Sequence, residues 1–256
     1  MKEEIFVYFI GTAGSGKSTL TANFQKWFQL RGLSATIVNL DPGAENLPYE
    51  PDDIRDWISL KEVMETNELG PNGAQIACAD MIALNTDDVK KSINSFKSDY
   101  ILIDTPGQLE LFVFRESGKY TVEFLNPERS VICYLLDPIL ARTASGFVSQ
   151  LLLSITTNFR MNQPQINILS KTDLLSDKDL EIIKRWSDNP DDIYGAILIE
   201  EASIYREMSE AITRLIQEFG GHTRLIPTSK NEFFGIEDIY TDIQLQFEGG
   251  EDLMKD

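Results

Sequence analysis

The residues between positions 11 and 18 have the types and the spacing needed to bind a phosphate chain. Their sequence, Gly-Thr-Ala-Gly-Ser-Gly-Lys-Ser, matches the pattern GxxxxGK[ST] at every fixed position. Glycines allow a tight turn in which successive backbone N–H groups point at phosphate oxygens, while Lys17 reaches the β- and γ-phosphates. The Ser18 hydroxyl is expected to coordinate Mg²⁺. The predicted nucleotide-binding residues of this loop are Gly14, Ser15, Gly16, Lys17, Ser18 and Thr19.

A second group of candidate residues follows the buried apolar run Tyr100–Ile103. In a protein with a phosphate loop, an aspartate at this place holds Mg²⁺, often through a water molecule, and Asp104 is expected to do so. Gly107 can offer its N–H group to the γ-phosphate because no side chain stands in the way. Gln108 is placed to orient an attacking water. Asp-Thr-Pro-Gly is also an ordinary turn sequence, so this function is inferred only in combination with the phosphate loop.

The segment Ser-Lys-Thr-Asp at 170–173 indicates which base the nucleotide carries. It has the form of the [NT]KxD guanine motif, but its first residue is serine, whose shorter side chain is expected to make fewer contacts with the phosphate loop. The Asp173 carboxylate can accept hydrogen bonds from guanine N1–H and the 2-amino group, whereas adenine has neither donor. The Lys171 stem can lie along the base, and the Ser229 N–H group can donate to guanine O6. The motif therefore predicts GTP as substrate and GDP as product. The Mg²⁺ ion is predicted from Ser18 and Asp104.

The elements that must position these residues alternate between strands and helices. Short, continuous apolar runs predict six buried strands, at Ile5–Ile10, Ala35–Leu40, Tyr100–Ile103, Val131–Leu136, Ile166–Leu169 and Arg224–Ile226. Helical spacing predicts helices at 18–30, 144–160, 177–187 and 200–219. This alternation predicts an α/β fold of the P-loop NTPase class, with a mostly parallel, doubly wound sheet flanked by helices.

One connection is much longer than a crossover needs. About 58 residues separate the second and third predicted strands, where about 10–12 would be enough. Residues 44–98 are therefore predicted to form a helical insertion, with helices at 56–65 and 86–96 around a turn at 69–73. The chain is predicted to be a single nucleotide-binding domain over 1–246, followed by an acidic, frayed tail at 247–256.

The composition limits the partners that the protein can have. The chain of 256 residues carries 41 acidic and 23 basic residues, a formal net charge of −18. Such a surface repels polyphosphate backbones, so direct nucleic-acid binding is not expected. The N-terminus has no signal-peptide pattern, the apolar runs are too short to span a membrane, and the two cysteines are not spaced as a metal clip. We therefore expect a cytoplasmic protein that does not bind membranes.

Taken in order along the chain, several segments resemble the GPN-loop GTPases, a homodimeric family with a phosphate loop. The segments are Asp41-Pro42-Gly43-Ala44-Glu45, Tyr49, Asp53-Ile54-Arg55-Asp56, Val63-Met64, Leu69-Gly70-Pro71-Asn72-Gly73 and Gly107-Gln108-Leu109-Glu110-Leu111-Phe112. The resemblance extends from Phe6 to about Tyr240. It is to the short, archaeal-type members, because the chain lacks the long C-terminal extension of some eukaryotic relatives. An ordered set of this kind is far more specific than any single motif.

The resemblance implies intersubunit roles that the individual motifs do not. In this family the Gly-Pro-Asn tip of one subunit reaches into the nucleotide site of the other, which assigns that role to Gly70-Pro71-Asn72 in a homodimer. Thr12 stands where many dimeric relatives in the wider class have a second loop lysine, which is consistent with the tip taking that role. Eukaryotic relatives are linked to RNA polymerase assembly, which implies a protein client such as an RNA polymerase subunit.

The resemblance also extends the set of candidate catalytic residues. It implies that Asp41 lies near Mg²⁺ or the attacking water, and that Gln108 and Glu110 act in hydrolysis. The candidate catalytic residues are therefore Asp41, Asp104, Gln108, Glu110, Gly70, Pro71 and Asn72. The candidate metal ligands are Ser18, Asp41 and Asp104.

Three interpretations of the function remain open at this point. The chain can be a GTPase whose turnover is its function, or a nucleotide-gated assembly factor in which hydrolysis is slow and incidental. A small-molecule kinase with a phosphate loop is the third, and it would need an acceptor pocket in the insertion. The apolar helix at 147–159 fits either the core or a partner surface. His222, the only histidine, is expected to lie in a loop without a function.

Overall fold

The computed structural model describes residues 4–56, 58–95, 98–199, 211, 214, 224–230 and 233–247. Within these ranges, seven strands form one sheet: β1 (Ile5–Gly11), β2 (Ala35–Asn39), β3 (Asp52–Asp53), β4 (Tyr100–Asp104), β5 (Ser130–Leu136), β6 (Gln165–Leu169) and β7 (Leu225–Pro227). Their spatial order is β3-β2-β4-β1-β5-β6-β7, and every neighbouring pair is parallel. The predicted parallel α/β sheet is therefore confirmed.

The helices connect these strands and cover the sheet. They are α1 (Lys17–Leu30), α2 (Leu60–Thr66), α3 (Pro71–Leu84), α4 (Thr86–Ser95), α5 (Leu109–Phe112), α6 (Glu116–Leu125), α7 (Ala144–Met161), α8 (Asp177–Asp188), α9 (Pro190–Ile199) and α10 (Ile236–Phe247). In the described part of the chain, none of these helices has the length and apolar character that crossing a bilayer requires.

Both faces of the sheet are buried, which explains why its strands are continuously apolar. On β1, Phe6 and Tyr8 belong to one core cluster, and Val7 and Phe9 belong to the cluster on the opposite face. Residues of α1 and α10 pack in the second cluster, including the fully buried Phe24 of α1. Residues of the insertion and of α6 to α9 pack in the first cluster. The phosphate loop is thus held between a buried strand and a well-packed helix.

The six predicted strands are all present, with ends that differ by a residue or two. The sequence did not predict β3, whose two residues pair with the end of β2 at the sheet edge. A two-residue acidic strand has no apolar alternation from which it could be recognised. The helix predicted at 200–219 lies outside the described residues except for Ala211 and Arg214, and His222 also lies outside them. Phe247 is the last residue of α10, and the rest of the predicted tail is not described.

The insertion is more helical than the sequence pattern suggests. The helix predicted from Asp56 begins later, at Leu60, because the Ser59 hydroxyl accepts a hydrogen bond of 3.3 Å from the Glu62 N–H group and caps the helix there. Asp56 instead ends a short 3₁₀ turn that follows β3. The predicted helix at 86–96 corresponds to α4.

The Gly-Pro-Asn segment, predicted as a turn at 69–73, begins helix α3. Gly70 is the N-cap residue and Pro71 is the first helical residue, where its missing N–H group costs no helix hydrogen bond. The Ala74 N–H group donates to the Gly70 carbonyl at 2.9 Å and closes the first turn. Apolar residues spaced four apart from Ala74 onwards are buried, so tertiary packing stabilises a helix that the glycines and proline obscured in the sequence.

Candidate functional site

The carboxyl ends of the parallel strands bring the predicted site residues to one edge of the sheet. Strand β1 leads into the loop at 11–17, β2 leads to Asp41, and β4 ends at Asp104. Strands β6 and β7 lead into 170–173 and 228–229. Ligands of open α/β sheets bind at this edge, so the topology places the phosphate, metal and base motifs next to one another.

The phosphate loop has the backbone geometry that its glycines allow. Gly14 and Gly16 have φ angles of +73° and +99°, a region that L side chains rarely adopt. The loop ends at Lys17, the first residue of α1, so the positive end of the helix faces the loop. The Ser15 hydroxyl is buried without a hydrogen-bond partner among the described residues. This hydroxyl lies against the end of β1, since a Cβ atom built on Gly11 would be 2.7 Å from Ser15 Oγ.

Lys17 links the phosphate loop to the segment after β4. Its ammonium group is buried and donates to three carbonyls, those of Gly11 at 3.0 Å, Thr12 at 3.1 Å and Gly107 at 3.1 Å. Burial lowers the pKa of Lys17, and the two nearby carboxylates of the site partly oppose that change. Neutral carbonyls do not balance its charge, so the ammonium is suited to an anionic ligand such as a phosphate group.

Asp104 and Ser18 form the predicted metal site, and Tyr49 joins them. Asp104 is only 2% exposed; its Oδ2 accepts a hydrogen bond from the Tyr49 hydroxyl, and its Oδ1 has no partner among the described residues. Burial raises the pKa of Asp104 above its ordinary value. The nearby Ser18 hydroxyl lowers the pKa of both Asp104 and Tyr49, which partly offsets the effect of burial. A buried carboxylate with an unpaired oxygen beside a serine hydroxyl fits a divalent cation such as Mg²⁺.

The described residues contain no cluster of three or more His, Cys, Asp or Glu side chains that could hold a metal ion by themselves. Mg²⁺ is commonly held by one or two carboxylates together with phosphate oxygens and water. Asp104 and Ser18 fit this sparse arrangement, in which the nucleotide supplies the remaining ligands.

Asp41 lies beside the segment that follows β4. Its Oδ2 accepts a hydrogen bond of 3.1 Å from the Gly107 N–H group, and its Oδ1 accepts one of 2.9 Å from Gly43. The sequence predicted that Gly107 would offer this N–H group to a γ-phosphate. In the structure the carboxylate of Asp41 accepts from this N–H group.

A network behind Asp41 explains how the residue is held. The Asn39 side chain accepts from the Asp41 N–H group at 3.0 Å and donates to Asp53 Oδ1 at 2.9 Å. Arg55 forms a bidentate pair with Asp53 and donates to the Ala44 carbonyl at 2.6 Å. The pair with Arg55 and the bond from Asn39 hold the pKa of Asp53 below its ordinary value despite its burial. This network connects β2, β3 and the start of the insertion.

The remaining candidate catalytic residues lie at the surface. Gln108 and Glu110 are exposed at the start of α5. The Gly-Pro-Asn tip, residues 70–72, is exposed at the start of α3. Gln75 follows Asn72 by three residues in α3, and the sequence analysis did not identify it as a site residue. A Cβ atom built on Gly43 would lie 3.6 Å from Gln75 Nε2 and 3.3 Å from Asp41 Oδ1, so α3 borders the site of its own chain.

The base-reading residues line a pocket next to the phosphate loop. Its volume is about 230 Å³. The lining residues are Gly16, Thr19, Leu20, Asn23, Ser170, Lys171, Asp173, Leu174, Thr228, Ser229 and Lys230. The structure thus brings together the residues that the sequence assigned separately to phosphate binding and base recognition.

Lys171 and Ser170 join this pocket to the rest of the fold. Lys171 donates to the Gly14 carbonyl, and a Cβ atom built on Gly16 would lie 3.2 Å from its Cε atom. The Ser170 hydroxyl donates instead to the Leu136 carbonyl at 2.9 Å. The contact with the phosphate loop is therefore made by Lys171, and the serine is anchored to the end of β5. This agrees with the expectation that serine contacts the loop less.

Asp173 has a partner that the sequence did not predict. The Lys230 ammonium lies 3.4 Å from Asp173 Oδ2, and the Lys230 N–H group lies 3.4 Å from Oδ1. The Asp173 side chain is 15% exposed, whereas that of Lys230 is 66% exposed. A lysine next to the small residues at 228–229 was the only sequence signal for this contact. A guanine that used both carboxylate oxygens would have to replace Lys230.

The chain is similar in sequence to a described protein family and to several named relatives. A family described as "conserved hypothetical ATP binding protein" matches residues 9–249. GPN-loop GTPase 3 of Danio rerio is 33% identical over 95% of the chain and 88% of its own length. GPN-loop GTPase 3 of Saccharomyces cerevisiae is 34% identical over 96% of the chain and 94% of its own length.

An archaeal relative and its crystal structure are also similar. A GPN-loop GTPase of Pyrococcus abyssi is 30% identical over 93% of the chain and 95% of its own length. The crystal structure of a GTPase from that organism has a TM-score of 0.85 and 29% identity, covering 95% of this chain and 97% of that one. The family description names ATP, but these relatives are named GTPases, and Asp173 in the base pocket agrees with the relatives' names.

Proposed function

The chain belongs to the GPN-loop GTPase family and is a GTP-binding GTPase, and we propose that it works as a Mg²⁺-dependent homodimeric switch. The observation that carries this proposal is the meeting of Lys17, Asp104 and Asp173 at one edge of the sheet. Each of these residues supplies one part of the recognition of a magnesium-bound guanosine triphosphate: phosphate charge, metal ligand and base.

In the proposed reaction, water attacks the γ-phosphorus and the bond to the β-phosphate oxygen breaks, which releases GDP and phosphate. Lys17 and the loop N–H groups neutralise charge that develops on the phosphate oxygens. Asp104 and Ser18 would hold Mg²⁺, which supplies further charge neutralisation when bound. Gln108 orients the water, and Asp41 and Glu110 are the other candidates for this role.

We further propose that the Gly-Pro-Asn tip completes the site of a second subunit. Asn72 is exposed at the start of α3, where backbone N–H groups without helix partners favour an anion. Its side chain offers both a donor and an acceptor to a γ-phosphate or a nearby water. The exposure of this helix start supports contact with a partner subunit's nucleotide.

Complementation between two inactive variants tests the role of the tip in the partner site. Lys17→Ala removes the phosphate-binding ammonium, and Asn72→Ala removes the tip amide while keeping a residue that helices accept. Neither homodimer should hydrolyse GTP at the wild-type rate. Co-expressed in equal amounts, the two chains should regain about a quarter of wild-type turnover, because half of the dimers have one intact site of two. A mixture no more active than the two homodimers would refute the proposal.

We also propose that hydrolysis times the holding of a protein client, such as an RNA polymerase subunit. The net charge of −18 supports a protein partner rather than a nucleic acid or an acidic membrane surface. Helix α7 buries Phe147 and Leu151 on one face and exposes Leu152, Ile155 and Phe159, the last being 87% exposed. This helix is therefore both core and available surface.

Turnover measured with and without candidate clients separates a switch from an independent enzyme. A switch should hydrolyse GTP well below the enzyme median of about 10 s⁻¹ and accelerate when its client binds. A high intrinsic rate that no client changes would contradict the client proposal and would favour turnover itself as the function.

A further inference from the structure

Asn39 is a polar residue at a place in the sheet where burial on both faces favours an apolar one. It ends β2 and is fully buried, and its Cα partners in the neighbouring strands are Asp53 of β3 and Asp104 of β4. Asparagine is depleted in strands, and a buried amide is costly unless its donors and acceptor have partners. The partners of the Asn39 side chain therefore indicate what the residue does.

The Asn39 side chain bonds to both backbone polar groups of Asp41. Its Oδ1 accepts from the Asp41 N–H group at 3.0 Å, and its Nδ2 donates to the Asp41 carbonyl at 3.1 Å. Nδ2 also donates to Asp53 Oδ1 at 2.9 Å. A backbone N–H group can only donate, and a carbonyl or an ionised carboxylate can only accept, so these three bonds leave one orientation for the amide. One side chain thus fixes the backbone of Asp41.

Asp53 and Arg55 hold this amide and the loop that follows Asp41. Asp53 is only 8% exposed, and both of its carboxylate oxygens accept from Arg55. Arg55 Nη1 also donates to the Ala44 carbonyl at 2.6 Å, three residues beyond Asp41. The loop is therefore held at its start by Asn39 and at its end by Arg55.

With its backbone fixed, Asp41 directs its carboxylate to the segment after β4, where Oδ2 accepts from the Gly107 N–H group at 3.1 Å. The hydrogen bonds that the structure describes for the side chains of Asn39, Asp53 and Arg55 run to Asp41, to Ala44 and to one another. These three residues are also outside the lining of the base pocket. A change at Asn39 should therefore affect hydrolysis through Asp41.

We propose that Asn39 is a positioning residue for GTP hydrolysis, which acts by fixing Asp41, and that Asp53 and Arg55 hold Asn39 in the orientation that this needs. Because this role rests on the proposed function of Asp41 in placing the attacking water, it deepens that function: the rate depends on a buried amide behind the site as well as on the Asp41 carboxylate. A network that only joined β3 to the sheet would stabilise the fold without acting through Asp41.

A double-mutant cycle between Asn39 and Asp41 separates these two roles. The full-length wild type, Asn39→Ala, Asp41→Asn and the double variant are compared for kcat and KM of GTP hydrolysis and for GDP affinity. Asn39→Ala should lower kcat about tenfold to a hundredfold, because a shift of a catalytic group by about 1 Å can cost about a hundredfold. KM and GDP affinity should stay unchanged, because the phosphate loop and the base pocket are intact. Asp41→Asn should lower kcat at least as much, and Asn39→Ala should then cause no further loss.

The cycle distinguishes failure of the positioning role from failure of the proposed role of Asp41. A wild-type kcat in Asn39→Ala, or an equal fold loss from Asn39→Ala with and without the Asp41 carboxylate, would overturn the positioning role and leave that of Asp41 standing. A wild-type kcat in Asp41→Asn would overturn both. Asn158→Ala, at an exposed asparagine of α7 that donates to the Gln163 carbonyl at 3.1 Å, is the matched control and should leave kcat unchanged.

Arg55→Lys tests the same network at its outer end and serves if Asn39→Ala does not fold. The Arg55 side chain is 36% exposed, and lysine keeps the charge but cannot pair with both oxygens of Asp53 while bonding to Ala44. This variant should lower kcat without lowering GDP affinity, and it should have no effect in the Asp41→Asn background. An unchanged kcat, or an equal fold loss in both backgrounds, overturns the proposal.

Discussion

Replacing Asp173 with asparagine probes base recognition most directly. The substitution keeps the size of the side chain but exchanges one carboxylate oxygen for an NH₂ group, a donor. Guanine presents donors at N1 and at its 2-amino group, so one bond is lost and the other weakens because its acceptor is no longer charged. Xanthine has a carbonyl oxygen in place of the 2-amino group, so the asparagine NH₂ group gains a partner there.

The size of the effect follows from the surroundings of Asp173. The lost hydrogen bond to a charged group is worth about 1.5–3 kcal/mol, and the change of the other to a neutral acceptor costs about 1 kcal/mol more, or about 2.5–4 kcal/mol in total. In the wild type, guanine must first displace the Lys230 ammonium group from Asp173. Because the Lys230 side chain is 66% exposed, this ion pair contributes no more than about 1 kcal/mol. The asparagine variant has no such ion pair to displace. The net loss is about 1.5–4 kcal/mol, a weakening of GDP binding of about tenfold to about a thousandfold.

Competition binding with GDP, XDP and ADP measures this preference on one scale. We expect GDP affinity to fall by the factor above, XDP affinity to rise, and ADP affinity to remain low in Asp173→Asn. Asp177→Asn, at the first residue of α8 and outside the pocket lining, is a matched control that should bind all three nucleotides as the wild type does. A variant that still preferred GDP to XDP as strongly as the wild type would refute the assignment of Asp173 to the base.

Two further predictions concern the same pocket and the core behind it. Lys230→Gln should raise GDP affinity about two- to fivefold at low salt, with a smaller gain at high salt, because a competing surface ion pair is removed. Lower affinity in an equilibrium titration would mean that Lys230 contacts the bound nucleotide instead. Phe24→Ala should reduce the free energy of unfolding by about 3–5 kcal/mol in urea denaturation, because the ring is fully buried between Phe9 and Phe28. Leu30→Ala, at an exposed position of the same helix, should change it by less than about 0.5 kcal/mol, and equal losses in both variants would contradict this packing.

The sequence was sufficient where short segments carry a strong local pattern. Continuous apolar runs identified β1, β4 and β5 because strands covered on both faces exclude polar residues. The spacing of Leu20, Phe24 and Phe28 identified α1 because only one helical face packs on the sheet. The chemistry of residues 11–18 was recognisable for a similar reason, since a phosphate loop needs particular residues at consecutive positions.

The sequence was insufficient where stability comes from distant contacts. Helix α3 begins with Gly70 and Pro71, which locally suggest a turn, but its later apolar residues pack against the core of the domain. Strand β3 consists of two aspartates, which have low strand propensity, and it forms because β2 offers an unpaired edge. Local propensity differs by about 1 kcal/mol or less per residue, so tertiary packing can override it.

The sequence by itself determined which chemical groups the site contains and, through the parallel strand order, that they meet at one edge. Only the tertiary structure decided which groups are in contact: Lys17 with Gly107, Tyr49 with Asp104, and Lys230 with Asp173. The residues of each pair are far apart along the chain, so no local pattern encodes them. They form because buried or partly buried charges are costly without a partner, and only the folded chain brings such partners within reach.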